Sequence, residues 1–172
     1  MPTYDAEAAE CLVFTYKEGL LSAAAHDLRL VVTRLQLQVA EAPLHIDARF
    51  DAGSLRVAAA QRDGADDPSA LSEGDRRKIE RAIIEEVLDA RRHPEIRFRS
   101  DRVTAEGEGY LIEGQLTLHG ATRPLTLRSG PAAGGAQIAE VTIHQPDFGI
   151  RPYSALLGAL KIRPDVRVRL RV

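Results

Sequence analysis

The stretch GQLTLHGATRPLTL, residues 114–127, decides the fold, because it contains two runs of alternating apolar and polar residues joined by a short connector. Leu116 and Leu118 share one phase of the first run, and Leu125 and Leu127 share one phase of the second. Successive side chains of a strand point to opposite faces of a sheet. When the two runs pair as a hairpin, both leucine pairs therefore face the same interior.

The connector between these runs supplies residues that suit a corner. Gly120 permits the backbone angles of a tight turn, and the missing N–H of Pro124 is tolerated where a returning strand begins. His119 falls on the outer phase, opposite the leucines. The sequence therefore predicts that His119 forms a hairpin corner rather than an active site.

Most of the remaining chain keeps the same period of two, which is typical of strands with one buried face. The apolar phase changes once, near Thr33 and Arg34, where a bulge or a bend would restore the register. The predicted strands are 12–17, 28–39, 44–51, 54–58, 95–103, 110–118, 124–128, 138–144 and 161–172.

The last predicted strand, 161–172, carries mostly basic residues at odd positions and apolar residues at even ones. A basic stripe could receive an anionic partner, but charges opposite an apolar face are more typical of a solvated sheet surface. Such charges also deter aggregation at sheet edges. We interpret the stripe as a solvated outer face.

One segment departs from the strand pattern. Ile79, Ile83 and Val87 recur at helical spacing, which predicts an amphipathic helix of about four to five turns over residues 72–92. Ser72 stands three residues before Asp75, as in a capping box. A second short stretch, 154–160, is predicted to be helical or irregular.

The composition is that of an ordinary soluble domain, with 172 residues, 44% of them hydrophobic and 28% charged. About eight to nine short strands and one inserted helix indicate a mainly β fold, an antiparallel barrel or sandwich, in a single domain over 1–172. The net charge of −2 gives no reason to expect a nucleic acid partner. With a single cysteine, Cys11, no intrachain disulfide is expected.

The first twenty residues lack the basic region and the apolar run of a signal peptide, so a cytoplasmic location is expected. No membrane span is expected either. The oligomeric state is left open between a monomer and a homodimer.

No metal site, cofactor or catalytic residue is predicted. The five histidines form no ligand motif. His26 and Asp27 are adjacent and could act as an acid–base pair, but neighbours on an extended chain point to opposite faces, and no nucleophile motif accompanies them. An enzyme that depends on His26 and Asp27 is kept as an alternative.

Several segments resemble those of the YceI-like family: HPEIRFRSDRV (93–103), GYLIEGQLTLHGATRPLTL (109–127), DFGI (147–150) and VRVRLRV (166–172). The resemblance implies a lipocalin-like antiparallel barrel whose apolar tunnel binds a long isoprenoid or a similar lipid, without catalysis. Two features depart from the family pattern. No export signal is seen, and a long charged helix replaces the short segment that usually precedes the HPE-like motif.

The resulting hypothesis is a carrier or storage protein that binds an isoprenoid, a quinone precursor or a fatty-acid-like lipid inside the barrel. Periodicity does not distinguish a hollow barrel from a filled one. The alternative is therefore a filled scaffold that binds protein partners through the helix over 72–92 and the basic last strand. The candidates for lining the barrel are Phe14, Tyr16, Leu30, Phe98, Leu116, Leu118, Leu125, Leu127 and Phe148.

Overall fold

The computed structural model describes residues 1–19, 25–155, 158 and 160–172. One helix, α1 (Glu73–Ala82), continues as a π-helical turn over Ile83–Val87. The strands are β1 (Thr3–Asp5), β2 (Glu10–Thr15), β3 (Lys17–Glu18), β4 (Asp27–Val32), β5 (Leu35–Glu41), β6 (Leu44–Asp51), β7 (Leu55–Arg62), β8 (Ala65–Asp67), β9 (Glu95–Glu106), β10 (Gly109–Leu118), β11 (Ala121–Pro131), β12 (Gln137–His144), β13 (Ser154–Ala155), β14 (Leu160–Ile162) and β15 (Asp165–Arg171).

Twelve of these strands form one curled antiparallel sheet, in the order β1-β5-β6-β9-β10-β11-β12-β15-β2-β4-β7-β8. A second, small sheet has the order β13-β14-β3. The mainly β, barrel-like class with one inserted helix is therefore confirmed. The described residues contain fifteen strand segments rather than eight or nine, because corners and very short edge strands divide the longer runs.

A single long ribbon forms one side of the barrel. β4 pairs with β7 and β5 pairs with β6, and the two halves meet at a corner. There the Thr33 N–H donates to the Ser54 carbonyl (3.1 Å) and the Asp51 N–H donates to the Arg34 carbonyl (3.0 Å). The predicted break in apolar phase is thus confirmed as a bend between two strands.

The ribbon gives the barrel its length. One end of the ribbon is the pair Asp27 and Gln61, and the other end is the pair Glu41 and Leu44. At about 3.3 Å per residue, the 14 steps from Asp27 to Glu41 cover about 45 Å along the strand before the bend is counted. Residues at the two ends of the ribbon are therefore at opposite ends of the fold.

The helix begins as predicted and covers an open sheet edge. The Ser72 side chain accepts from the Asp75 N–H, and the Asp75 carboxylate accepts from the Ser72 N–H, which completes the capping box. β8 pairs only with the far end of β7, and α1 satisfies part of the remaining edge. The Val57 N–H donates to Glu80 Oε1 (2.9 Å). Such cover protects an edge strand from pairing with another chain.

Removing the cap tests how far α1 depends on it. We expect Ser72→Ala to lower the free energy of unfolding by about 1 kcal/mol, because the amide of Asp75 loses its acceptor. Chemical denaturation of the full chain measures the change. Ser72→Thr keeps a hydroxyl and should restore most of the loss, and an equal loss in both variants would contradict a capping role.

Three predicted boundaries are corrected. The helical segment ends at Val87 rather than at residue 92, because Asp89 adopts a left-handed conformation (φ 44°) that a helix cannot continue through. The last strand is divided between β14 and β15, because Pro164 between them has no N–H for a ladder. Of the stretch 154–160, the ends belong to β13 and β14, and residues 156, 157 and 159 lie outside the described residues.

Candidate functional site

The inside of the barrel is hollow, with a cavity of about 1160 Å³. This volume exceeds the roughly 300–1,000 Å³ of ordinary small-molecule pockets. The inward phases of the strands build its wall, mostly from aliphatic side chains that belong to two buried clusters. Among the lining residues are Val13, Leu37, Ala48, Ile112, Val141 and Val168.

Six of the nine predicted lining residues lie on the cavity wall. Leu30 comes from β4, Phe98 from β9, and the remaining four from the hairpin that opened the sequence analysis. In that hairpin Leu116 and Leu118 of β10 and Leu125 and Leu127 of β11 face the same interior. Contact of these six residues with a ligand stays a prediction.

The other three candidates lie elsewhere. Phe14 points to the outer face of β2, where the Arg167 guanidinium lies 4.6 Å from the centre of its ring. Tyr16 is not among the lining residues, and its backbone carbonyl accepts from the Arg163 N–H (2.7 Å). Phe148 is buried in a 3₁₀ turn behind the wall. These positions correct the predicted lining.

The assignment of β2 failed because both of its faces are apolar. Leu12 and Phe14 are buried on the outer face, whereas Cys11 and Val13 line the cavity. The side chains of Arg167 and Arg169 cover the Phe14 ring from outside. Phe14 is therefore buried by cation–π packing on the outer face, although in the sequence it resembles a core residue. Alternation alone therefore could not choose the inward phase of this strand.

The helix is part of the wall, which the sequence analysis did not predict. Ile79, Ile83 and Val87, the residues that revealed the helix, all line the cavity. The apolar face of α1 and of the π-helical turn that follows it is thus half-buried against the barrel interior. Its helical spacing was the available signal, but spacing does not say what an apolar face packs against.

The thiol of Cys11 faces the cavity, and its environment disfavours the reactive thiolate form. The side chain is buried, at 2% exposure, and lies on the cavity wall. Burial, with a smaller contribution from the charge of Glu10, raises the pKa of the Cys11 thiol to about 12. The thiolate is the reactive form of cysteine, so this residue is expected to behave as a small apolar side chain.

We expect Cys11 in the folded protein to react very slowly with a colorimetric disulfide reagent at pH 8. With a pKa of about 12, the thiolate fraction at that pH is on the order of 10⁻⁴. Unfolding in guanidinium should release the thiol and raise the labelling rate at least a hundredfold. Equal rates in the two states would contradict the buried position.

The pair His26 and Asp27 does not form an acid–base dyad. His26 lines the cavity, but Asp27 does not, and its carboxylate accepts from the Lys17 N–H (2.8 Å). No hydrogen bond joins the two side chains in the part of the chain that the structure describes. Within the same residues, no group of three or more histidine, cysteine, aspartate or glutamate side chains is arranged to hold a metal ion.

His119 forms the corner of its hairpin, as predicted. It follows Leu118, which pairs with Ala121, and both His119 (φ 53°) and Gly120 (φ 76°) have positive φ. Two such residues are what a type I′ hairpin turn requires. The centre of the His119 ring lies 4.6 Å from the centre of the His93 ring. Two of the segments that resemble the YceI-like family, 93–103 and 109–127, are therefore in contact at this corner.

The strand of Pro124 begins earlier than predicted, at Ala121. Pro124 pairs with Gln115 of β10, while β12 pairs with β11 only from Arg128 onward. On the side facing β12, Pro124 therefore lies on a stretch without a ladder, where a missing N–H is tolerated.

Comparison with known proteins agrees with this architecture. The chain superposes on the crystal structure of BcnA from Burkholderia cenocepacia with a TM-score of 0.67, at 14% identity and over 97% of this chain and 96% of that one. A polyisoprenoid binding domain from Saccharophagus degradans gives a TM-score of 0.62 at 13% identity, over 98% of this chain and 94% of that one. At these identities the likeness shows a shared fold.

Sequence relatives are recognised over a shorter stretch. A UPF0312 protein of Pectobacterium carotovorum is 39% identical over 75 residues, and the match covers 38% of either chain. This chain therefore matches well under half the length of that curated relative.

In the described residues no helix is long and apolar enough to cross a membrane. The profile of the YceI-like domain matches residues 12–172, and this chain therefore belongs to the YceI-like family.

Proposed function

We propose that this chain binds a long apolar ligand in its interior and acts as a carrier or storage protein without catalysis. The cavity carries this proposal, because about 1160 Å³ of space is bounded mainly by aliphatic side chains. Its lining extends from Ala25 and His26, at one end of the long ribbon, to Glu41 and Leu44, at the other. A space of this length suits an extended chain better than a compact molecule.

The ligand class that we propose is an isoprenoid, a quinone precursor or a fatty-acid-like lipid. Covering the wall removes apolar surface from water, which contributes roughly 25 cal/mol per Å². The similarity in fold to a polyisoprenoid binding domain supports this class. The Asp27 carboxylate accepts a hydrogen bond from the Lys17 N–H and none from His26. This arrangement supports a role without acid–base chemistry.

The alternative of a filled scaffold finds less support. A filled barrel would leave no cavity of this size. The apolar face of α1 lines this cavity, so it does not form an exposed surface for a protein partner. The cytoplasmic location and the choice between monomer and homodimer stay predictions, to be tested by cell fractionation and by sedimentation.

Native mass spectrometry of gently purified protein tests the proposed function. We expect an added mass that organic extraction removes and that lipid analysis identifies as a long-chain molecule. Protein recovered empty should take up a long-chain alcohol or acid in a displacement assay with a fluorescent apolar probe. Empty protein that binds neither the probe nor any long-chain molecule would overturn the proposal.

A further inference from the structure

The helical segment Glu73–Val87 closes a gap in the strand wall of the barrel. β7 pairs with β4 on one side, but on its other side it pairs with β8 only at its far end. In the described chain, the edge Leu55–Ala59 therefore has no strand partner on that side. Ile79 and Ile83 pack against the buried cluster of β2, β4 and β7, and Val87 packs against the cluster of β9 and β10. The segment thus joins two parts of the wall.

The attachment of α1 to the edge of β7 is slight. Glu80 Oε1 accepts from the Val57 N–H (2.9 Å), and Arg76 Nη1 donates to the Ala58 carbonyl (3.4 Å). None of residues 73–87, all of which the structure describes, is fully buried. Segments with few buried contacts open locally at a lower free energy than the core of a protein does. This part of the wall is therefore the easiest to open.

The chain that follows the helical segment is held firmly. Ala90 is buried, and its N–H donates to the Ile84 carbonyl (2.9 Å). The Ala52 N–H, at the corner of the long ribbon, donates to the Pro94 carbonyl (2.9 Å). The π-helical turn lies between this fixed chain and α1, and such turns are frequent at functional points of helices. This arrangement favours a swing of α1 about the turn.

A groove on the outer surface meets the contact between α1 and β7. The groove has a volume of about 490 Å³ and is lined by Val57, Leu71, Glu73, Arg76, Arg77 and Glu80. On the inner side, Ile79 and Ile83 of the same helical segment line the cavity. Glu80 in the groove and Ile79 in the cavity are neighbours in the chain. The contact between α1 and β7 is therefore the partition between the outer groove and the cavity.

From this partition we infer that the ligand enters and leaves through the side of the barrel, between α1 and the Leu55–Ala59 edge of β7. Glu80 is the latch of this side entrance. Opening it breaks two side-chain bonds to the backbone of β7, whereas an opening between paired strands breaks a ladder of backbone bonds. The inference rests on the proposed function and adds the route of the ligand.

Hydrogen exchange of the empty protein tests whether the side entrance opens. The Val57 amide has Glu80 as its acceptor, so its exchange reports the release of the latch. Val168, in β15, pairs with strands on both sides. By NMR, and relative to intrinsic rates, we expect the Val57 amide to exchange roughly tenfold or more faster than the Val168 amide. Equal protection of the two amides would overturn the side entrance. Because no ligand is present, this outcome is independent of the proposed function.

Removing the latch tests its effect on binding. We expect Glu80→Ala to raise both the association and the dissociation rate of cis-parinaric acid, a fluorescent long-chain probe, by about fivefold or more. The affinity should change by less than about twofold, because the bond is lost from the free and the bound protein alike. Stopped-flow fluorescence measures the rates, with circular dichroism as the check on folding. Glu80→Gln keeps an acceptor and should have a smaller effect.

Glu85→Ala is the matched control for the latch. It removes an exposed carboxylate from the same helical segment, and Glu85 forms no hydrogen bond or ion pair with any residue that the structure describes. Its rates should equal those of the parent protein. Parent rates in folded Glu80→Ala would overturn the role of Glu80 as a latch. A parent protein that does not bind the probe at all would count against the proposed function itself.

A bulky label in the outer groove tests the route. Arg77 is exposed and lines the groove, so Arg77→Cys places a reactive thiol there, while the buried Cys11 stays unlabelled in the folded protein. We expect coupling to a polyethylene glycol maleimide to slow association of the probe by about threefold or more. The same label on Thr142→Cys, on the outer face of β12, should have no effect. Equal association rates of labelled and unlabelled Arg77→Cys would place the entry at an end of the barrel and overturn the side entrance.

Discussion

Gly114→Ala is expected to lower the free energy of unfolding by about 3 kcal/mol, the upper part of the usual range for overpacking. Gly114 lies at a bulge in the β9–β10 pairing. A Cβ there would overlap the Arg99 carbonyl oxygen and lie 2.7 Å from Phe98 Cζ and 2.8 Å from Ser100 Cα. Two of these three atoms belong to the backbone of β9, so a rotamer change cannot relieve the clash. Urea denaturation of the full chain measures the loss.

Gly130→Ala is the matched control for this prediction. Gly130 lies in β11, and a Cβ there would meet no atom within 4 Å. Without a clash, alanine restricts the unfolded chain, so stability should stay the same or rise by up to about 1 kcal/mol. Equal effects of the two substitutions would contradict the predicted clash between a Cβ at position 114 and the backbone of β9.

Val141→Trp is expected to weaken the binding of long-chain ligands at least tenfold while the protein stays folded. Val141 lines the cavity from the middle of β12, where it pairs with Val168. An indole at this position enters the space that we propose for the ligand and competes with it for the same apolar wall. The tenfold loss corresponds to about 1.4 kcal/mol of binding free energy.

The next residue provides the control. Thr142 is exposed on the outer face of β12, so Thr142→Trp adds the same side chain on the opposite side of the sheet. Its ligand affinity should equal that of the parent protein. Probe displacement compares the variants, with circular dichroism as the check on folding. Unchanged affinity in Val141→Trp, with the fold intact, would place the ligand outside the cavity.

The sequence predicted those parts of the fold that depend on local patterns. The hairpin around His119 follows from alternation on both arms and from a glycine at the turn, which act over a few residues. The capping box of Ser72 and Asp75 follows equally from a spacing of three. Six wall residues could be predicted because their strands have one apolar and one polar phase, which fixes the inward face.

Predictions failed where a residue's burial depends on distant parts of the chain. Phe14 is buried because Arg167 and Arg169 of β15 cover it from outside, and those arginines follow it by more than 150 residues. The apolar face of α1 was visible in the sequence, but only the curled sheet decides that it completes a cavity wall.

The sequence by itself determined the strand periodicity, the turns, the helix start and the resemblance to the YceI-like family, because each depends on neighbouring residues. The tertiary structure alone decided that the barrel is hollow and that the apolar side chains of the helical segment line it. Hollowness depends on how far opposite walls stand apart, and this distance is fixed by the curl of the whole sheet. Similarly, the wall is built from strand pairs such as Cys11 with Leu170, whose members are more than 150 positions apart and cannot be related by a local pattern.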